Sequence, residues 1–116
     1  MQFQVRPGGG RVLRIAKGLN VPVSLKKLQP QMAVAANVIS GVYKELAGAD
    51  CYITSGDEGE HSANSLHYEG LALDFRIRNV APRFHGALSV EIMGALSDEY
   101  DVVLEETHVH VEYDPT

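Results

Sequence analysis

Two segments of this chain alternate apolar and polar residues with the two-residue period of a β-strand. In residues 71–77, leucine, phenylalanine and isoleucine fall on one face, and an aspartate falls on the other. In residues 107–113, valines and a tyrosine form one face, while the opposite face holds His108, His110 and Glu112. Because side chains alternate across a strand, each segment can bury one face and turn the other toward a cleft or solvent. The pattern therefore predicts two half-buried strands whose polar faces carry titratable groups.

A helix is predicted between these strands and the N-terminal region. Apolar residues recur with helical spacing from Met32 to Leu46, which gives one stripe that can face a core. Pro30 suits the first position of a helix, because proline lacks the amide hydrogen that is unpaired there. Gly48 suits the position just past the end, where glycine adopts a left-handed conformation readily.

A second helix and further strands complete the predicted fold. The helix is expected to begin near residue 84 or 89 and to run to residue 100, and strands are expected at 51–54 and 101–105. The residues predicted to form the inner face of this helix are Leu88, Ile92, Met93 and Leu96. These elements predict an α+β fold, in which a small antiparallel sheet carries helices packed on one face.

Length and composition favour one folded domain. The chain has 116 residues, 45% of them hydrophobic, so residues 1–116 are expected to form a single domain with a packed core. Residues 1–28 show the weakest pattern, with a loop expected at 7–10, a short strand at 11–16 and a turn at 18–20. Cys51 is the only cysteine, which excludes an internal disulfide and predicts a small buried hydrophobe.

Charge and hydropathy exclude several classes of partner. The net charge of −5 argues against nucleic acid as the main partner. No apolar run has the length of a membrane span, so no membrane partner is expected. The first residues show no charged start followed by an apolar stretch, which predicts synthesis in the cytoplasm without a secretory signal. The sequence does not indicate an oligomeric state.

Three residues form a candidate metal site. His67 and Asp74 are seven residues apart, which would put them on opposite faces of one regular strand. Gly70 lies between them and favours a bend, so His67 on a loop and Asp74 on the following strand can point to one place. His110 on the last strand would be the third ligand. Two imidazoles and a carboxylate suit Zn²⁺, with cobalt, nickel and manganese less favoured. Spacing alone also fits ordinary exposed histidines.

The first of these segments resembles a known zinc signature. The pattern is Ser65-X-His67-X-X-Gly70-X-Ala72-X-Asp74. It is similar to the signature of the zinc D-Ala-D-Ala carboxypeptidase family, which includes phage endolysins, D-Ala-D-Ala dipeptidases and, by structure, the hedgehog signalling domain. The resemblance covers residues 30–114. It implies a hedgehog-like DD-peptidase fold.

The second signature of that family is a His-X-His or Glu-X-X-His near the C-terminus, and residues 105–113 fit it. The resemblance implies that His67, Asp74 and His110 bind zinc and that His108 supports the oxyanion or moves a proton. A solvated strand histidine is the other interpretation of His108.

A glutamate is expected to act as general base beside the zinc-bound water. The Glu-X-X-His spacing of the family favours Glu105, if His108 is the histidine of that motif. Strand alternation favours Glu106, which shares a face with His108 on an unbent strand. A bend at 106–107 would favour Glu105 again.

The resemblance implies a zinc metallopeptidase that hydrolyses peptidoglycan stem peptides, as a D-Ala-type carboxypeptidase or endopeptidase. The small size is typical of a phage enzyme that is delivered to the cell wall. The family usually carries an arginine shortly after the Ser-Gly that ends the preceding strand, but here acidic residues follow Ser55-Gly56. Arg76 or Arg78 could replace it. The alternative is a zinc-binding module of the same fold without catalysis, acting in protein interaction or as a phage structural component.

Overall fold

The computed structural model describes residues 13–15, 23–58 and 64–115, which form one layer of strands and one of helices. The helices are α1 (Pro30–Ala47) and α2 (His85–Ala95). The strands are β1 (Leu13–Ile15), β2 (Cys51–Ser55), β3 (Ala72–Arg76), β4 (Tyr100–Leu104) and β5 (His108–Tyr113). Single 3₁₀ turns lie at Leu66–Glu69 and Pro82–Phe84. The strands form one sheet in the order β1-β2-β3-β5-β4.

The sheet is mixed, so the expectation of a wholly antiparallel sheet is wrong. β1 runs parallel to β2, whereas the other three neighbouring pairs of described strands are antiparallel. Helix α1 joins β1 to β2, and parallel neighbours require a crossover connection of this kind. The α+β class is confirmed.

The helices cover one face of the sheet, as the alternation predicts. Buried apolar residues at alternate positions of the three central strands contact buried residues of α1 and α2. On the strands these residues are Cys51, Ile53, Leu73, Phe75, Val109 and Val111. The opposite face of the same strands therefore carries the polar residues. Cys51 is fully buried and free, as predicted.

The ends of α1 match the prediction. Pro30 occupies its first turn, and Gly48 caps its C-terminus with φ of +63°. The Gly48 amide donates to the Lys44 carbonyl and the Ala49 amide to the Tyr43 carbonyl, so the last carbonyls of the helix are satisfied.

The second helix is shorter than predicted. It ends at Ala95, because residues 97–99 form a turn in which the Tyr100 amide donates to the Ser97 carbonyl. Leu88 and Ile92 are buried, whereas Met93 is 51% exposed, so its predicted place on the inner face is wrong. The reason is angular: Met93 follows Ile92 by one residue and therefore points about 100° away from the buried stripe.

Several expectations concern residues that the structure does not describe. The loop at 7–10 and the turn at 18–20 lie outside the described residues. The strand expected at 11–16 is described as β1 over Leu13–Ile15. Neither α1 nor α2 combines the length and the apolar character that a transmembrane helix needs.

A segment preceding α1 packs tightly against two glycines that flank the polar face. A Cβ added to Gly56 would lie 2.1 Å from the carbonyl oxygen of Ser24, and one added to Gly70 would lie 1.8 Å from that of Lys27. Gly70 also has φ of +72°, where residues other than glycine are strained. The Gln29 amide donates to the Gly70 carbonyl at 3.0 Å. Glycine is therefore required at Gly70 by both conformation and space.

A positive φ alone costs an alanine about 1–2 kcal/mol, and Gly70→Ala should lower the free energy of unfolding by more than this amount. The added methyl group would also displace the carbonyl of Lys27. Gly48→Ala is the matched control, because Gly48 has a similar φ and no atom within 4 Å of an added Cβ. Urea denaturation measures both variants. Equal losses would contradict the close approach at Gly70.

Candidate metal centre

His67 reaches the polar face of the sheet from a 3₁₀ turn. The Ser65 hydroxyl accepts the His67 amide at 3.1 Å, and Gly70 ends the turn, so both ends of the turn are capped. The imidazole is buried, and its Nδ1 donates to the carbonyl of Gly56 at 2.8 Å. A carbonyl can only accept, so this bond fixes the ring with Nε2 directed toward Asp74.

Asp74 and His110 lie directly opposite each other on β3 and β5. Such cross-strand pairs place their side chains on the same face and in contact. On the other side of β3, the pairing with β2 shifts by one residue between Ile53 and Ser55, which is a β-bulge beside Asp74. The hydroxyl of Thr54 donates to the Asp74 carbonyl at 3.3 Å.

The three predicted ligands converge on one carboxylate oxygen. Oδ1 of Asp74 lies 3.3 Å from Nε2 of His67 and 2.9 Å from Nδ1 of His110. One ligand atom from each of the three residues lies within 4.8 Å of the others. Zinc bonds of about 2.0–2.1 Å place neighbouring atoms of a tetrahedron about 3.3 Å apart. The donors therefore suit zinc in type, and the two separations to Oδ1 of Asp74 lie near this spacing.

The electrostatics also suit a cation. Burial alone would raise the pKa of Asp74, but hydrogen bonds from His110 and His67 outweigh it and hold that pKa far below its usual range. Asp74 is therefore ionised at any pH at which the protein would work. The hydrogen bond to Asp74 raises the pKa of His110 to about 9, and Glu112 contributes in the same direction. At neutral pH, the proton on Nδ1 of His110 therefore occupies the position that a metal would take.

The other predicted site residues are His108, Glu105 and Glu106. Nε2 of His108 lies 3.7 Å from Oδ2 of Asp74, so His108 borders the site. The Glu105 amide donates to the His108 carbonyl at 2.8 Å, which closes a turn at residues 106–107. This is the bend that favours Glu105, because it places Glu105 across from His108. Both Glu105 and Glu106 are exposed. His85, which begins α2, lies outside the cluster and donates to the carbonyls of Ile77 and Val80.

The acidic residues after Ser55-Gly56 bind backbone amides. Glu58 accepts from the amides of Ser24 at 2.9 Å and of Gly56 at 2.7 Å, and Asp57 accepts from the amide of Lys27 at 2.8 Å. They join the segment before α1 to the loop whose carbonyl orients His67. Sequence reasoning missed this role, because the amides of Ser24 and Lys27 are 34 and 30 residues from their acceptors along the chain.

A second acidic group lies nearby. Asp101, Glu112 and Asp114 bring carboxylate oxygens within 4.8 Å of one another at the edge formed by β4 and β5. Asp101 is exposed, and exposed acidic clusters are common without an ion. The histidine-containing cluster is the better candidate for a transition metal, because imidazole favours zinc while carboxylates alone favour calcium or magnesium.

Comparison with known proteins finds no match, either among protein-family models or among curated proteins. The resemblance to the zinc D-Ala-D-Ala carboxypeptidase family therefore rests on the two sequence motifs. The geometry of His67, Asp74 and His110 is what indicates a possible metal site.

Wild-type protein should retain about one zinc ion per chain after dialysis, and His67→Ala should lose it, because two ligands rarely hold zinc. His85→Gln is the control, since it alters a histidine with two hydrogen bonds outside the cluster. Elemental analysis of both variants beside the wild type measures the effect. Equal zinc in His67→Ala would exclude this site.

Zinc affinity should rise with pH by about tenfold per unit at neutral pH, and should level off above about pH 9. The reason is that zinc must displace a proton from His110, whose pKa in the metal-free protein is about 9. Competition with a chromophoric chelator at several pH values measures the slope. An affinity that stays constant across the neutral range would contradict the assignment of His110 as a ligand.

Proposed function

We propose that this chain is a zinc metallopeptidase that hydrolyses short peptides of the peptidoglycan stem. The observation that carries the proposal is the convergence of His67 Nε2 and His110 Nδ1 on Oδ1 of Asp74. Three protein ligands leave a fourth tetrahedral position, which is the arrangement of catalytic zinc sites. The side chains of Asp74 and His110 are 13% and 20% exposed, so the cluster is accessible from solvent. The substrate class is inferred from the resemblance of the two sequence motifs to those of the zinc D-Ala-D-Ala carboxypeptidase family.

Zinc held by these ligands would supply a Lewis acid and a water of lowered pKa. Glu105 is proposed to accept the proton of the attacking water and to pass it to the leaving amine. Its position across from His108, at the end of the β4–β5 hairpin, supports this role. His108, which borders Asp74, would donate a hydrogen bond to the developing oxyanion.

Arg76 is the proposed recognition group for the substrate carboxylate. It pairs in register with His108, so it lies on the polar face two residues along from Asp74. Its guanidinium lies over the ring of Tyr52, 4.4 Å from the centroid. Among the described residues no carboxylate forms an ion pair with it. A guanidinium held in this way can bind a carboxylate through two parallel hydrogen bonds.

Arg76→Gln should lower kcat/KM about 10- to 100-fold for a stem peptide with a free terminal carboxylate, because a charge-assisted hydrogen bond is lost. The same peptide with a terminal amide should be cleaved equally by wild type and variant. Arg78→Gln is the matched control, since Arg78 is exposed just beyond β3. Equal losses with the acid and the amide would contradict a role in carboxylate recognition.

Glu105→Gln should keep its zinc and lose activity about 10²- to 10⁴-fold, the usual contribution of a general base. Glu106→Gln differs by one position in the same exposed turn and should remain active. Peptide hydrolysis and zinc content are measured on the same preparations. If both variants are fully active, neither glutamate is the base.

A zinc-binding module without catalysis is the second candidate. It is favoured by the exposure of Glu105 and Glu106, whose carboxylates form no hydrogen bond within the described part of the chain. In that case zinc would stabilise the polar face or a partner contact. A wild-type protein that binds zinc tightly and cleaves no stem peptide would favour this candidate.

A further inference from the structure

His110 is held from both sides of its ring. Its Nδ1 lies 2.9 Å from Oδ1 of Asp74, and its Nε2 lies 2.7 Å from Oε1 of Glu112. The second distance lies at the short end of the range for a charge-assisted hydrogen bond. Glu112 lies two residues further along β5, so the strand itself places its carboxylate on the same face as the imidazole.

The two histidines of the cluster are oriented by different kinds of acceptor. His67 is oriented by the backbone carbonyl of Gly56, and its side chain is 4% exposed, so the surrounding structure restricts the ring. The side chain of His110 is 20% exposed, and the acceptor at its Nε2 is the side chain of Glu112. When Nδ1 binds a metal, the hydrogen bond from Nε2 to Glu112 is the one that still orients the ring, and Glu112 can be replaced without changing the backbone.

The donors and acceptors in these two hydrogen bonds determine which nitrogen of His110 is available to a metal. A carboxylate can only accept, so the Nε2 that faces Glu112 must carry a hydrogen. When Nδ1 loses its proton, its lone pair points to the position shared with His67 and Asp74. Without Glu112, the imidazole can rotate or place its hydrogen on the other nitrogen, and the lone pair then points away.

We infer that Glu112 is a positioning residue of the metal centre, which holds His110 with Nδ1 as the ligand atom. This inference rests on the proposed zinc site and adds a residue to it. Removing a carboxylate that holds a ligating histidine in this way typically weakens metal binding about 10- to 100-fold. Glu112 has the geometry for that role.

The test measures the zinc and cobalt affinities of the full chain with Glu112→Gln, Glu112→Ala and Asp101→Asn. Asp101 pairs with Glu112 across β4 and β5, so Asp101→Asn removes a negative charge close to the site without touching His110. Far-UV circular dichroism and thermal unfolding of the metal-free proteins check that each variant folds. The visible absorption of bound Co²⁺ and the imidazole ¹⁵N shifts report the geometry and the ligating nitrogen of His110.

We expect Glu112→Ala to weaken zinc binding about 10- to 100-fold and to change the Co²⁺ spectrum. Glu112→Gln keeps a neutral acceptor and should lose less affinity, while Asp101→Asn should bind like the wild type. Wild-type affinity in both Glu112 variants would overturn the inference and leave the zinc site standing. An equal loss in Asp101→Asn would also overturn it, because charge alone would then explain the effect. A wild type that binds no zinc would overturn the proposed function itself.

Discussion

The polar face of this protein depends on the buried carboxylate of Asp74. An ionised carboxylate removed from water is unstable unless its oxygens are paired, and here two imidazoles approach Oδ1 while a third lies near Oδ2. This need for partners explains why His67, His108 and His110 gather at one point of the sheet. The same concentration of donors around one anion is what a divalent cation requires.

The position of Asp74 is secured by the surrounding backbone. A β-bulge on β2 and the cross-strand pairing with His110 fix its strand, and Gly70 allows the 3₁₀ turn of His67 to approach. The segment before α1 packs against that turn at Gly70 and is joined to the loop after β2 by hydrogen bonds to Asp57 and Glu58. The helices lie on the opposite face, so the core can be packed tightly without restricting access to the polar face.

The sequence predicted those parts of the site that follow from periodicity. Alternation in β3 and β5 places Asp74 and His110 on the polar face, and the break at Gly70 allows His67 to join them. It could not predict the parallel pairing of β1, because a strand of three residues carries too little pattern to set its direction. It also misplaced Met93, since four apolar residues were assigned to a helix face that holds fewer. The contact of Glu58 with Ser24 depends on backbone groups 34 residues away, which no local pattern records.

The most direct test of the metal centre is anomalous diffraction at the zinc edge from crystals grown with zinc. We expect one strong peak bounded by Nε2 of His67, Oδ1 of Asp74 and Nδ1 of His110. A peak at Asp101, Glu112 and Asp114 with none at the histidines would contradict it. So would crystals of well-folded protein that show no peak at either place.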